Sequence, residues 1–307
     1  MDIPAILLTV FGLSLFEIVS SIDNAIINAE VLSTMKPPAR KWFLFWGVVT
    51  AVFVVRGLLP WMIVWATSPA LGPIGSLTAT FSSDPKVARA VETSSPLLLI
   101  GGGVFLIFLF FHWLFMENKS YGLPVERFIR KQSVWFYAVV SILLAMIVWS
   151  ALKVHPFLAF SAVMGSTGFF IVYGFRQTAE REEERLLQKN GQSDISKILY
   201  LEVIDATFSI DGVVGAFAFT LSVPLILLGN GLGAIILRQL TVGNVERIKK
   251  YRYLKNGAMY SILALGVIMI LDSFGHHIPQ WVSPLTTLLL IAYFGLKSRN
   301  GGGAGEI

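Results

Sequence analysis

The chain has 307 residues, 55% of them hydrophobic and 14% charged, with a mean hydropathy of +0.70. That leaves too little polar surface to clothe a water-soluble fold, and several apolar runs reach the roughly 18–20 residues a helix needs to cross a bilayer. A net charge of +5 invites a nucleic-acid reading, but the basic residues sit between the apolar runs, and the lack of cysteine excludes disulfides and thiolate metal sites.

The start, Met1-Asp2-Ile3-Pro4, lacks the basic segment and small-residue cleavage site of a signal peptide, so the first apolar run is read as a retained span. Nine apolar segments follow, near 4–32, 42–66, 96–116, 133–152, 157–175, 198–221, 224–241, 256–273 and 281–297. This predicts an all-α polytopic membrane protein. Residues 67–95, rich in Ser, Thr, Gly and Pro, form the longest link between early spans. Residues 176–197, with Arg181-Glu182-Glu183-Glu184-Arg185, read as a short solvated helix closed by an Asn190-Gly191 turn. The glycine-rich tail 301–307 is set aside as flexible. Trp42, Trp46, Trp61, Trp65, Trp113, Trp135 and Trp281 fall near span ends, as in an aromatic belt.

Of the 24 Lys and Arg residues, 20 lie in alternate links, the C-terminal end included. Cytoplasmic loops carry such an excess. The N-terminus is therefore expected outside and the C-terminus in the cytoplasm of a bacterial inner membrane. The charge is an orientation signal, and no nucleic-acid partner is expected.

One stretch recurs. Glu17 aligns with Asp205, Ser21 with Ser209, Ile22 with Ile210, Asp23 with Asp211 and Asn24 with Gly212. Each copy puts two carboxylates six residues apart inside an apolar run. A carboxylate at membrane depth costs at least about 2.5–3.5 kcal/mol on insertion scales, which makes it a functional candidate. The predicted topology threads the two copies in opposite directions, the signature of an inverted-topology repeat with its site near the midplane. The halves are 1–152 and 198–300, with 153–197 as connector span and charged cytoplasmic loop.

On a helix Glu17, Ser20, Ser21, Asn24 and Asn28 form one polar stripe, matched by Glu202, Asp205, Ser209 and Gly212. Asp23 and Asp211 stand about 120° off these stripes. Either they face other partners, or the helices unwind near Ser-Ile-Asp and bring the carboxylates together. Ile3 to Met35 would span roughly 50 Å as one helix, too long for one straight crossing. Gly212 and Gly215 suggest a break in the second copy, and a break supplies carbonyl oxygens to a cation.

The expected ligand set is Glu17, Asp23, Asn24, Asp205 and Asp211, with Asn28 and Glu202 as further candidates. All are oxygen donors suited to Mn²⁺, Ca²⁺ or Mg²⁺. Four or five crowded carboxylates exceed one divalent charge, so cation binding is expected to release protons, which implies cation/proton antiport. Arg56, the basic residue well inside a span, is a proton-relay candidate or a charge partner for one of the acids. Ser20, Ser21, Thr207 and Ser209 are read as bonding backbone carbonyls or packing helices. His112 with Glu117 and Asn118 lines a cytoplasmic mouth or sits as an interface histidine. Asp272, His276 and His277 are read as interface polarity rather than a metal-release site. No phosphate loop, HExxH or nucleophile elbow is present, and no enzyme activity is expected.

The segments Phe16–Ala25 and Leu201–Gly212 resemble the two signature segments of the TerC family of integral membrane proteins, named for tellurium resistance. The second, continuing Val213-Val214-Gly215-Ala216-Phe217, resembles the branch with a longer loop between spans 2 and 3. The resemblance implies a place in the exporter superfamily that includes LysE-type amino-acid exporters. It implies divalent-cation transport, Mn²⁺ as in Alx-like relatives or Ca²⁺, and complexes with soluble tellurium-resistance proteins. It also implies that Glu17, Asp23, Asn24, Asp205 and Asp211 are the functional acids and amide. Two alternatives stay open. One is export of another small solute with the acids as a proton relay. The other is a non-transporting scaffold that recruits soluble partners through 176–197 and 242–255.

Overall fold

The computed structural model describes residues 3–47, 49–79, 85–117, 122–188, 193–249 and 251–301; of some residues within the helices, Asp23 among them, it describes the backbone alone. The described chain is entirely helical. The first apolar segment is α1 (Ile3–Ser20) and α2 (Ile22–Ser33), bent at Ser21. The bend is shallow: the Ser21 N–H still donates to the Glu17 carbonyl at 3.1 Å, and the Ala25 N–H to the Ser21 carbonyl at 3.0 Å.

The second apolar segment is not one helix. It starts as α3 (Pro37–Trp42), winds as π-helix over Phe43–Gly47 and Thr50–Leu58, and ends as α4 (Leu59–Thr67). Pro37 opens α3, where the missing N–H costs nothing. After α5 (Gly72–Thr78) comes α6 (Pro85–Met116), then α7 (Pro124–Arg130), α8 (Phe136–Leu152) and α9 (Pro156–Gln188). The second half holds α10 (Asp194–Ala216), α11 (Val223–Lys249), α12 (Leu254–Ser273) and α13 (Val282–Gly301). Ser193 caps α10 by accepting the Ser196 N–H at 3.2 Å. Gly275, at φ +85°, takes the chain out of α12.

Among the described residues six helices are long and apolar enough to cross a membrane: 3–20, 89–116, 133–152, 156–178, 223–240 and 254–273. The other three expected spans differ for readable reasons. The π-helical segment is broken, α10 carries Glu202, Asp205 and Asp211, and α13 ends in Lys297 and Arg299.

Three expectations about elements are corrected. The helix expected at 96–116 begins at Pro85, with Pro96 inside it. The charged stretch from 176 is not a separate short helix, because α9 runs unbroken to Gln188; the Asn190-Gly191 turn lies outside the described residues. No break occurs in α10 at Gly212 or Gly215.

The core is built around α6, which packs on α12 and α9, while α1 packs on α11 and α13. Small residues let these backbones meet. A Cβ on Gly103 would stand 2.9 Å from the Gly266 carbonyl, and one on Gly229 would stand 2.5 Å from the Leu13 side chain. Exposed Trp42, Trp46, Trp135 and Trp281 fit a lipid-facing belt, but Trp113 is 3% exposed and packs on Phe110 and Tyr260.

Candidate ion site

The inward stripes of α1–α2 and α10 meet beneath the Thr50–Leu58 π-helix. Glu17 is fully buried. Its Oε1 accepts from Arg56 Nη2 at 2.5 Å, Arg56 Nε at 3.0 Å and Ser21 Oγ at 2.8 Å. Arg56 Nη1 lies 3.6 Å from Asp205 Oδ2, and Asn24 Nδ2 donates to Asp205 Oδ1 at 2.7 Å. One guanidinium, 2% exposed, therefore binds the first acid of both motif copies.

Acceptor oxygens remain around this pair. Glu17 Oε2, Asn24 Oδ1, Asn28 Oδ1 and Glu202 Oε1 are buried without a hydrogen-bond partner. Glycine makes the room: a Cβ on Gly212 would stand 2.7 Å from Glu17 Oε2, and one on Gly47 would collide with Glu202 Oε1. This explains why the second copy has glycine where the first has Asn24. Arg238, from α11, lies over the Phe43 ring at 4.4 Å and interacts electrostatically with Glu202 and Asp205.

Apolar groups flank the site on both sides. At the end of α2 Val31, Leu32, Met35, Phe43, Ile198 and Leu201 form an apolar cluster. Lys197 ties the helix ends there, donating to Thr34 Oγ1 at 2.9 Å. Toward the C-terminal end of α10 Phe16 meets Phe219, with ring centroids 5.8 Å apart.

Asp211 stands elsewhere. It leaves the opposite flank of α10 and accepts from Arg176 Nη2 of α9 at 2.6 Å. A small cavity beside this pair is lined by His112, Phe169, Tyr173, Arg176 and Asp211. His112 is half-buried among aromatic rings. Its ring packs on Tyr173 at 4.3 Å and on Phe136 at 5.6 Å. Glu117 pairs with Lys255, and Asn118 lies outside the described residues.

The expected ligands thus divide. Glu17, Asp205 and, through Asp205, Asn24 gather at Arg56; Glu202 interacts with Asp205 and Arg238, Asn28 is buried a turn further along α2, and Asp211 pairs with Arg176. The Asp23 side chain lies outside the described residues. Among the described residues no three acidic or histidine side chains gather into a metal-holding group. Beyond the end of α12, His277 Nδ1 is 4.0 Å from Asp272 Oδ1, on an exposed turn. Of the hydroxyls, Thr207 bonds the Val203 carbonyl at 2.8 Å as expected, but Ser21 bonds the Glu17 carboxylate instead. Its position four residues after Glu17 was the available signal.

Sequence reasoning missed Arg176, Arg238 and Glu126. The first two look like orientation charge. Glu126 is fully buried, and its carboxylate accepts twice from Asn256 Nδ2, at 2.8 and 2.7 Å, and once from the Leu123 N–H at 3.0 Å. This pins α7 to α12.

One family's sequence model, described as Protein of unknown function (DUF475), matches residues 22–299. No curated protein and no solved structure matches the chain.

Proposed function

The chain belongs to the DUF475 family, and we propose that it exports a divalent cation, Mn²⁺ ahead of Ca²⁺, in exchange for protons. The observation that carries this reading is the meeting of Glu17 and Asp205, equivalent acids of two motif copies, on helix stripes that hold four buried oxygens without a donor. A buried acceptor without a partner costs about 1–3 kcal/mol, and a hard cation satisfies several at once. Glu17, Asn24, Asn28, Glu202 and Asp205 supply ligands, and Asp23 and Asp211 serve the ion along its path. The resemblance to the TerC family points the same way and adds soluble tellurium-resistance proteins as partners.

Arg56 already holds both acids. A cation that binds must displace the guanidinium, and acids released from Arg56 take up either the cation or protons. That competition couples the two flows.

In this reading all nine segments cross a bacterial inner membrane, with the N-terminus outside and the C-terminus inside. The halves form an inverted repeat. The packing supports it: α1 lies on α11 as α10 lies on the π-helical segment, and α6 faces α12. The correspondence stops at the last span: α13 backs α12, whereas α6 is backed mainly by the connector helix α9 rather than by α8.

A second reading has its own observation. The 2.5 Å Arg56–Glu17 contact is what a purely structural ion pair looks like, and a scaffold would need no more. Calorimetric titration of the purified protein with Mn²⁺ and Ca²⁺ separates the two. Export predicts binding that weakens by at least about 10–100-fold in Asp205→Asn, the range for losing even an outer-shell partner of a metal ligand. A folded wild type that binds neither ion leaves the scaffold. Flux in proteoliposomes that ignores an imposed pH gradient removes the antiport, and metal-independent solute flux favours another cargo.

A further inference from the structure

We propose that the cavity at the outer end of α10 is an exit vestibule for a hydrated divalent cation, and that Phe16 and Phe219 form its closed floor. The proposal rests on the exporter reading of the Glu17–Asp205 site.

The cavity measures about 420 Å³ and is walled by the Phe217–Ser222 turn, the end of α12 and residues 278–280. That volume holds a cation with about six waters at ~30 Å³ each. Its lining mixes apolar groups, Phe217 and Phe219 among them, with polar ones. Exposed Gln280 stands at the mouth, and the Asp272 carboxylate, 33% exposed, puts a negative charge on the wall. Deeper in, Thr220 and Ser222 line it, and the Ser222 Oγ is buried without a hydrogen-bond partner. Ser283 is bound away, donating to the Ala218 carbonyl at 2.6 Å.

Phe219 belongs to both spaces. It lines the cavity, meets Phe16 at 5.8 Å, and lies 3.0 Å from where a Gly12 Cβ would stand. Phe16 is 0% and Phe219 2% exposed. Phe16 immediately precedes Glu17, and its ring lies 2.6 Å from where a Gly215 Cβ would stand. The acids and the vestibule are therefore separated by an aromatic layer that sits on glycines. Opening the path requires these two buried rings to move aside. While closed, the layer keeps water from the Arg56 ion pairs.

The chain has no cysteine, so one introduced thiol reports cleanly. Thr220→Cys tests the vestibule, and Ser209→Cys, on the α10 stripe below the floor, tests the closure. A membrane-impermeant maleimide is applied from the outer face of cells. Thr220→Cys is expected to label several-fold faster than Ser209→Cys. Adding Phe219→Ala is expected to raise Ser209→Cys labelling several-fold, with Phe219→Leu as a milder version if the alanine variant does not fold. Thr220→Cys that labels only after permeabilisation overturns the vestibule. Ser209→Cys that labels equally fast with and without Phe219 overturns the floor. Labelling needs no metal, so either failure is distinct from a wild type that carries no Mn²⁺, which would count against export itself.

Discussion

Asp205 and Asp211 stand on one unbroken helix and meet different cations. A six-residue step sets them about 120° apart, so one carboxylate faces α1 and the π-helical segment while the other faces α9. The two carboxylates are themselves almost equally exposed, 13% for Asp205 and 12% for Asp211, and the difference lies in what surrounds them. Glu17 and Arg56, beside Asp205, have side chains 0% and 2% exposed, whereas Asp211 and Arg176 are 12% and 18% exposed. Two acids of one motif copy therefore keep unlike company, one beside a buried guanidinium and the other beside a partly exposed one. The dry region cannot lose a charge cheaply, and the wetter one can.

The largest effect expected from that contrast is in Arg56→Ala. Removing the guanidinium leaves Glu17 charged and uncompensated in a dry interior, a loss of about 3–5 kcal/mol. Equilibrium unfolding in micelles measures it, and adding Glu17→Gln is expected to restore much of it. A loss no greater than that of Asp211→Asn would erase the difference between the regions.

Gly233→Ala comes next. A Cβ there stands 2.7 Å from both the Glu17 Cβ and the Ser14 carbonyl, and backbone cannot yield. About 1–3 kcal/mol is expected from such overpacking. Gly212→Ala meets only the far end of the Glu17 side chain and should cost less in the same assay.

Asp211→Asn keeps an acceptor but loses the charge facing Arg176. About 1–2 kcal/mol is expected, since hydrogen bonds to charged groups are worth little more than that. The Lys255–Glu117 pair, 37% exposed on each side, marks the low end: Lys255→Met is expected to change stability by about 0–1 kcal/mol. A larger loss there would show that exposure is a poor guide in this molecule.

The polar stripes that build the Arg56 region were legible because helical period alone put Glu17, Ser21, Asn24 and Asn28 on one face. Arg176 and Arg238 were not. A link counted for its positive charge does not reveal which of its residues turns back into the fold. The start of α6 was hidden for a related reason: the composition of 67–95 reads as a link, while Pro85 sits where a helix tolerates proline best. Gly212 and Gly215 suggested a broken helix and instead make room for Glu17 and Phe16.

By itself the sequence determined a helical chain built for the bilayer and two acid-bearing segments within it, because hydropathy and periodicity are local properties. Only the tertiary structure decided which cation each acid meets. Arg56 lies 39 residues from Glu17, and Arg176 lies 35 from Asp211. Such pairings arise only when separate helices pack, and the depth of that packing sets how strongly each charge is held.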